Sequence, residues 1–415
     1  MKKLLIMITA WGLLNIVGYL FAFENGYLMS WGVFGILLVC SGILLILVTG
    51  MIILIGVFEL LSVNSAYLVR KLPIMLIFTV FTIALLLLQV VVSDKFAYIP
   101  GNLEVQEWKK VEINDTEQYI SVRTKDENNP VILFLAGGPG GSQIQATREH
   151  FDLIEEEYTI INWEQPGSGK SYGARDIDSI TIDTYIEDGH ALTEYLKDRF
   201  NQDKIYIIGE SWGSYLGIEL VTHYPEDYEA IVTTGQMVDF EETEIFCYEE
   251  ALRIARERND EQQIKALINL GEPPIRGKNI SLELGTYLTY LHGYMNQMEE
   301  INHTGWSTFD TLFSPEYSIM DSANFMRALY YTFSHVYQQL YETDLRETHT
   351  TLEIPIYILH GRHDLNAPTY LVAEYYESIE APDKKLIYME YSGHNPWITE
   401  PILFQQTVLN LFNQE

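Results

Sequence analysis

The chain has 415 residues, enough for one large domain with attachments, and its 26 basic against 57 acidic side chains leave a net charge of −31. So acidic a surface repels phosphate backbones and excludes nucleic acid as a partner. The two cysteines, Cys40 and Cys247, provide neither a disulfide framework nor a cysteine metal site.

The charge is unevenly spread. The first 92 residues hold only Lys2, Lys3, Glu24, Glu59, Arg70 and Lys71, so the remainder carries 22 basic and 55 acidic residues, a net −33. Within that apolar stretch, residues 4–23, 31–58 and 72–92 each reach the roughly 20 residues that a helix needs to cross about 30 Å of hydrocarbon. Three transmembrane helices are therefore expected in a module of residues 1–92, with the lipid bilayer as partner. A removed signal peptide is disfavoured, because the first run has no small-x-small cleavage site and two more runs follow it. Lys2, Lys3, Arg70 and Lys71 favour the cytoplasmic side for their span ends. The link at residues 24–30 has no basic residue and suits the outer face, so everything after Val92 is expected outside the cell membrane.

Beyond residue 93 strands alternate with helical patterns, which predicts an α/β fold with a mostly parallel sheet covered by helices. Residues 105–113 and 119–123 read as an opening hairpin. Residues 131–135, 158–162, 205–208, 230–233, 354–359 and 386–389 are short apolar or β-branched runs of buried-strand type. The interval 237–353 has amphipathic, tyrosine-rich segments such as 324–341 and no evident strand, and it reads as an inserted helical lid. The catalytic domain is then 93–236 together with 354–415. Pro273 and Pro274 mark a break within the lid.

The strongest local signal is Ile205-Tyr206-Ile207-Ile208-Gly209-Glu210-Ser211-Trp212-Gly213, an apolar strand running through Gly-x-Ser-x-Gly into a helix that extends to Tyr224. Only small residues fit beside the serine in so tight a turn, which points the hydroxyl away from the sheet. A serine hydroxyl attacks poorly until a base takes its proton, and in this arrangement the acid and then the base follow late in the chain. Residues 354–359 lead into Asp364, and residues 386–389 lead into Gly393-His394. The candidate catalytic residues are therefore Ser211 as nucleophile, His394 as general base and Asp364 as the acid that orients it. For His363 and His190 a surface or core role is preferred. Donors for the oxyanion are expected from the backbone N–H of Trp212 and from the glycine loop 136–141, with Gly138 the choice and Gly137 the fallback. Residues 166–171, Pro-Gly-Ser-Gly-Lys-Ser, resemble the end of a phosphate-binding loop, but the first glycine of that motif would fall on Glu164, so nucleotide binding is not expected. No cofactor and no metal are called for.

Together these segments resemble the prolyl iminopeptidase-like branch, peptidase family S33, of the α/β-hydrolases, over about residues 103–413. The family's glycine loop is matched by Ala136 to Gly140, its acidic loop by Glu164 to Ser171, its elbow by Gly209 to Gly213, and its late motifs by Gly361 to Asp364 and Gly393-His394. Two positions depart from it: Ala136 replaces a histidine and Glu164 an aspartate. The resemblance implies an α/β-hydrolase fold and a serine aminopeptidase that removes an amino-terminal residue, often proline, from short peptides through an acyl-enzyme; the three spans ahead of the domain, which would anchor it in the membrane, are not part of the family's usual pattern. It also implies that lid carboxylates hold the substrate's free amino group, with Glu241, Glu242, Glu244 and Glu249 as open candidates. The substrate is then a short peptide or another small molecule, and two other readings remain: a membrane-associated esterase or lipase with the same triad, acting on esters or lipids, and a non-catalytic membrane receptor built on the same fold.

Overall fold

A computed structural model describes residues 93–94, 97–305 and 307–413. The three expected spans lie outside these residues; among the described residues no helix is long and apolar enough to cross a membrane. The chain divides into two compact units. One comprises Tyr98–Thr311 with Asp321–Glu415 and carries the sheet, nearly all of the lid and the candidate site. In the described part of the other, which includes Leu312–Met320, the Ser93 hydroxyl oxygen accepts a hydrogen bond from the Ile319 N–H at 3.2 Å.

The first unit is organised by eight strands. In chain order they are β1 (Val105–Ile113), β2 (Thr116–Thr124), β3 (Val131–Leu135), β4 (Thr159–Glu164), β5 (Ile205–Glu210), β6 (Tyr228–Thr234), β7 (Ile356–Gly361) and β8 (Lys384–Met389). They form one sheet in the order β1-β2-β4-β3-β5-β6-β7-β8. β1 and β2 make the expected hairpin; its Asn114 and Asp115 turn through positive φ, and β2 then pairs antiparallel with β4. Every later pairing is parallel. β3, β4 and β7 are buried along their whole length. Strands covered on both faces read in sequence as continuous apolar runs, and that is why they were visible without an alternation.

Helices cover both faces. They are α1 (Ile144–His150), α2 (Ile182–Phe200), α3 (Trp212–His223), then the lid helices α4 (Phe240–Glu257), α5 (Glu261–Leu270), α6 (Ile280–Met295), α7 (Ile319–Arg327), α8 (Phe333–Val336) and α9 (Leu345–Thr348), and finally α10 (Thr369–Ser378), α11 (Pro396–Thr399) and α12 (Pro401–Phe412). α2 starts on a reciprocal cap between Thr181 and Thr184 and stops at Asn201 in the left-handed conformation. On one face α2, α3 and the lid share a large apolar core. On the other, Phe134 of β3 packs edge to face on Phe151 and Trp397, centroids 5.6 and 5.5 Å away, which ties α11 to the sheet.

The lid contains no strand among the described residues, only isolated bridges, Asp239 with Asp344 and Thr351 with Glu380. Its segment 324–341 was expected to be helical, and it is, but the pitch changes along it: α7 gives way to a wide turn at Ala328–Thr332, then to α8, then to a tight turn at Tyr337–Leu340. α4 is capped by Asp239, which accepts the Glu242 N–H at 2.8 Å.

Candidate active site

Past the carboxyl end of β5 the backbone of Ser211 adopts φ 54° and ψ −121°. An L-residue occupies such a conformation only when its surroundings hold it there. The hold is visible: the Ser211 N–H donates to the Thr234 carbonyl at 3.0 Å, and the Ser211 carbonyl accepts from both the N–H and the hydroxyl of Ser214, at 2.9 and 2.5 Å. The glycines on either side are required by close approach. A Cβ on Gly209 would lie 2.9 Å from the Gly213 carbonyl carbon, and one on Gly213 would lie 2.6 Å from that of Leu135.

Asp364 follows β7 and is almost completely buried. Its Oδ1 accepts the N–H groups of Asn366 and Ala367 at 2.8 and 2.9 Å, and its Oδ2 lies 2.8 Å from His394 Nδ1. Burial alone would raise this carboxyl, but the adjacent His394 and the backbone donors outweigh it and hold it below the ordinary carboxylate range. Behind it, His360 Nε2 sits 3.0 Å from the Ala367 carbonyl and 3.8 Å from Asp364 Oδ2, and burial depresses that imidazole so that it stays neutral.

His394 follows β8 with 12% of its side chain exposed. Burial opposes its cation, yet Asp364 on one side and Glu210 on the other outweigh burial and raise the ring to about 9. Ser211, His394, Trp212 and Gly138 all line one cavity of about 130 Å³. Four of the five residues singled out in the sequence therefore share a wall of the same space, and the fifth, Asp364, stands directly behind His394.

The loops around this cavity are braced by side chains. The Gly137 N–H donates to Gln143 Oε1 at 3.1 Å, which commits that donor and leaves the pocket wall to Gly138. Trp212 Nε1 donates to Gln165 Oε1 at 2.9 Å. Glu164, where the resemblance calls for aspartate, accepts from the Ser142 hydroxyl at 2.6 Å and the Lys170 N–H at 2.8 Å, so it joins the glycine loop to the loop after β4. Within that second loop Gly169–Ser171 makes one tight turn and leads into no long helix, and the Lys170 ammonium pairs with Asp321 at 2.5 Å over the Trp108 ring. A phosphate-binding loop needs a helix at that point and a free lysine.

The lid supplies the rest of the cavity. Phe240, Phe333 and Tyr337 give it an aromatic wall, and Glu244 brings the one carboxyl. Of the four lid acids considered from sequence, Glu242 is drawn to Arg346 and Tyr370, Glu249 is exposed and Glu241 faces a separate surface hollow. Glu244 is buried; its Oε1 accepts from the Tyr341 hydroxyl at 2.5 Å and its Oε2 from the Ile275 N–H at 3.2 Å. Burial pushes this carboxyl up to about 7. The sequence reading missed Gln143, Glu210 and the aromatic wall. For the wall a signal existed, because Phe333, Tyr337 and Tyr341 recur at the four-residue spacing of a helix face. His363 and His190 lie away from the cavity, and the His190 ring stacks on Tyr224 with centroids 3.6 Å apart.

A family model for the alpha/beta hydrolase fold matches residues 130–401, and the chain belongs to that family. It is a hydrolase whose relatives include proline iminopeptidases. The chain is similar to a probable aminopeptidase, YbaC, of Bacillus subtilis (strain 168), at 28% identity over 75% of this chain and 97% of that one. A proline iminopeptidase of Arabidopsis thaliana is 30% identical over 33% of each chain. Among solved structures, proline iminopeptidase of Mycobacterium smegmatis superimposes with a TM-score of 0.52 at 15% identity, covering 74% of this chain and 98% of the other, a likeness of fold.

Proposed function

We propose that the protein is a membrane-anchored serine aminopeptidase that removes a small amino-terminal residue, proline foremost, from short peptides by way of an acyl-enzyme. Ser211 is the nucleophile, His394 its general base, and Asp364 the acid that fixes the His394 tautomer; the N–H groups of Trp212 and Gly138 receive the oxyanion. The amino-terminal 92 residues hold the enzyme in the cell membrane through three spans, with the catalytic domain outside.

The observation that carries this reading is the chemistry of the cavity. It joins Ser211 and His394 to a single buried carboxyl, Glu244, across an aromatic wall. At about 130 Å³ it falls below the roughly 300–1,000 Å³ of pockets for drug-sized ligands, which suits one small acyl residue. Since Glu244 lies near 7, an incoming ammonium finds a carboxyl that needs little further help to ionise. The name of the B. subtilis relative supports the same class.

The apolar wall also suits an ester, and one panel separates the two. Turnover of a proline arylamide, with loss of activity when its amine is acetylated, is the expected result. Turnover of short-chain aryl esters alone would leave an esterase, and no turnover with no labelling by a fluorophosphonate would leave the receptor. His394 acts as a base only when neutral, and its raised pKa delays that form: activity is expected to be low at acid pH and to climb through the alkaline range toward about 9.

A further inference from the structure

Glu210 fills the variable position just before Ser211 and is only 2% exposed. A carboxyl buried there must answer to something, because an uncompensated buried charge is costly. Its Oε2 has no hydrogen-bond partner. Its Oε1 stands 3.7 Å from His394 Nε2, whereas Asp364 Oδ2 stands 2.8 Å from His394 Nδ1. The imidazole is thus flanked by a carboxyl on each nitrogen. Glu210 also lies close beneath the glycine loop: a Cβ on Gly137 would overlap Oε2 and come 3.2 Å from the carboxyl carbon. A side chain at 137 would force the Glu210 carboxyl to shift, and the Gly137 N–H itself donates to Gln143 Oε1.

We propose that Glu210 is a positioning residue for catalysis, a second carboxyl partner that holds the His394 imidazolium from its Nε2 side while Asp364 holds it from Nδ1. The proposal rests on the serine reading above. When the Ser211 oxygen bonds to the substrate carbonyl carbon, the carbonyl electron pair moves to its oxygen and the hydroxyl proton passes to Nε2. The new N–H then carries its positive charge within reach of Glu210. As the C–N bond breaks, the same proton leaves Nε2 for the departing amine. The two carboxyls stabilise the charge between these steps and speed both.

The same contact stabilises the resting cation, so the enzyme gives up activity at acid pH. The other groups around the ring do not offset this. His292 of α6 is driven below its ordinary value by burial and by the His394 charge, His360 is neutral behind Asp364, and burial raises the Cys247 thiol well above its ordinary range near Asp364. Burial raises Glu210 itself, with His394 and Gln143 pulling it back.

The test is the rate at which a fluorophosphonate, which has no titrating group of its own, inactivates the full chain between pH 5 and 10, for the wild type and for Glu210→Gln. An opposite charge within about 4–6 Å moves a pKa by about 1–3 units, so the acid limb of Glu210→Gln should move down by at least about one pH unit, with a plateau about tenfold lower. An unmoved limb with a uniformly lower rate would overturn the proposal and leave Glu210 a packing residue. Should the variant not fold, Glu210→Asp replaces it, its shorter side chain drawing the carboxyl away from Nε2: an acid limb moved down by a smaller step supports the proposal and an unmoved limb overturns it. No labelling at any pH would instead defeat the serine reading, and this inference with it.

Discussion

Between Val131 and Thr234 the chain alternates strands that are almost entirely buried with helices, whereas between Phe240 and Thr348 the described residues run through six helices, two of them only four residues long, joined by turns of changing pitch. The first region must satisfy a continuous parallel sheet, and each strand is fixed by its neighbours on both sides. The second packs on the sheet through one face and is free elsewhere, as the exposure of Ile245, Ile268 and Leu282 shows. Under the proposed function the difference separates chemistry from selectivity: Ser211, Asp364 and His394 stand on loops that leave strand ends, and the lid adds the wall of the cavity and Glu244. Substitutions in the first region should therefore strike the chemical step, and those in the second should strike recognition.

The sharpest way to break this division is at the nucleophile. Ser211→Ala is expected to lower kcat by about 10⁵–10⁶-fold, as loss of an activated serine does elsewhere, with KM little changed and the melting temperature preserved. A loss of only tenfold would place the reacting group elsewhere. Asp364→Asn comes next, at about 10⁴-fold in kcat, because the amide no longer holds the required His394 tautomer.

The central strands and the elbow were legible in the sequence, because a buried strand must be an apolar run and a turn with a Gly213 Cβ 2.6 Å from another carbonyl carbon admits no other residue. The change of pitch at Ala328–Thr332 was not, since Phe333 and Tyr337 keep helical spacing whatever the exact winding. Nor was the choice of Glu244 among four acids, because α4 turns Glu242 toward Arg346 and Glu244 toward the cavity, and which face meets the sheet is decided by packing. Glu210 was hidden by the motif itself, which treats that position as free.

Glu244→Gln sharpens the comparison from the lid side. Removing the carboxyl proposed to meet the substrate amine is expected to raise KM for peptide substrates about 10–100-fold, a cost of about 1.4–2.7 kcal/mol, while an ester without an amine is turned over as before. Equal losses on both substrates would make Glu244 structural. The smallest effect is expected at Arg346, which joins Asp239 and Glu242 of the α4 start to Asp344 and to Glu374 of α10. Each exposed pair is worth about 0–1 kcal/mol, so Arg346→Ala should cost about 1–2 kcal/mol in a denaturant melt, lose that effect in high salt, and leave kcat unchanged.

The account's central claim is that a serine set on the β5 turn is made nucleophilic by a distant imidazole. Fluorophosphonate labelling of the full chain followed by peptide mass spectrometry tests it directly. A single adduct on Ser211, formed at least about 10³-fold more slowly in His394→Ala, is the predicted result. An adduct on another residue, or labelling of Ser211 at an unchanged rate without the imidazole, would contradict it.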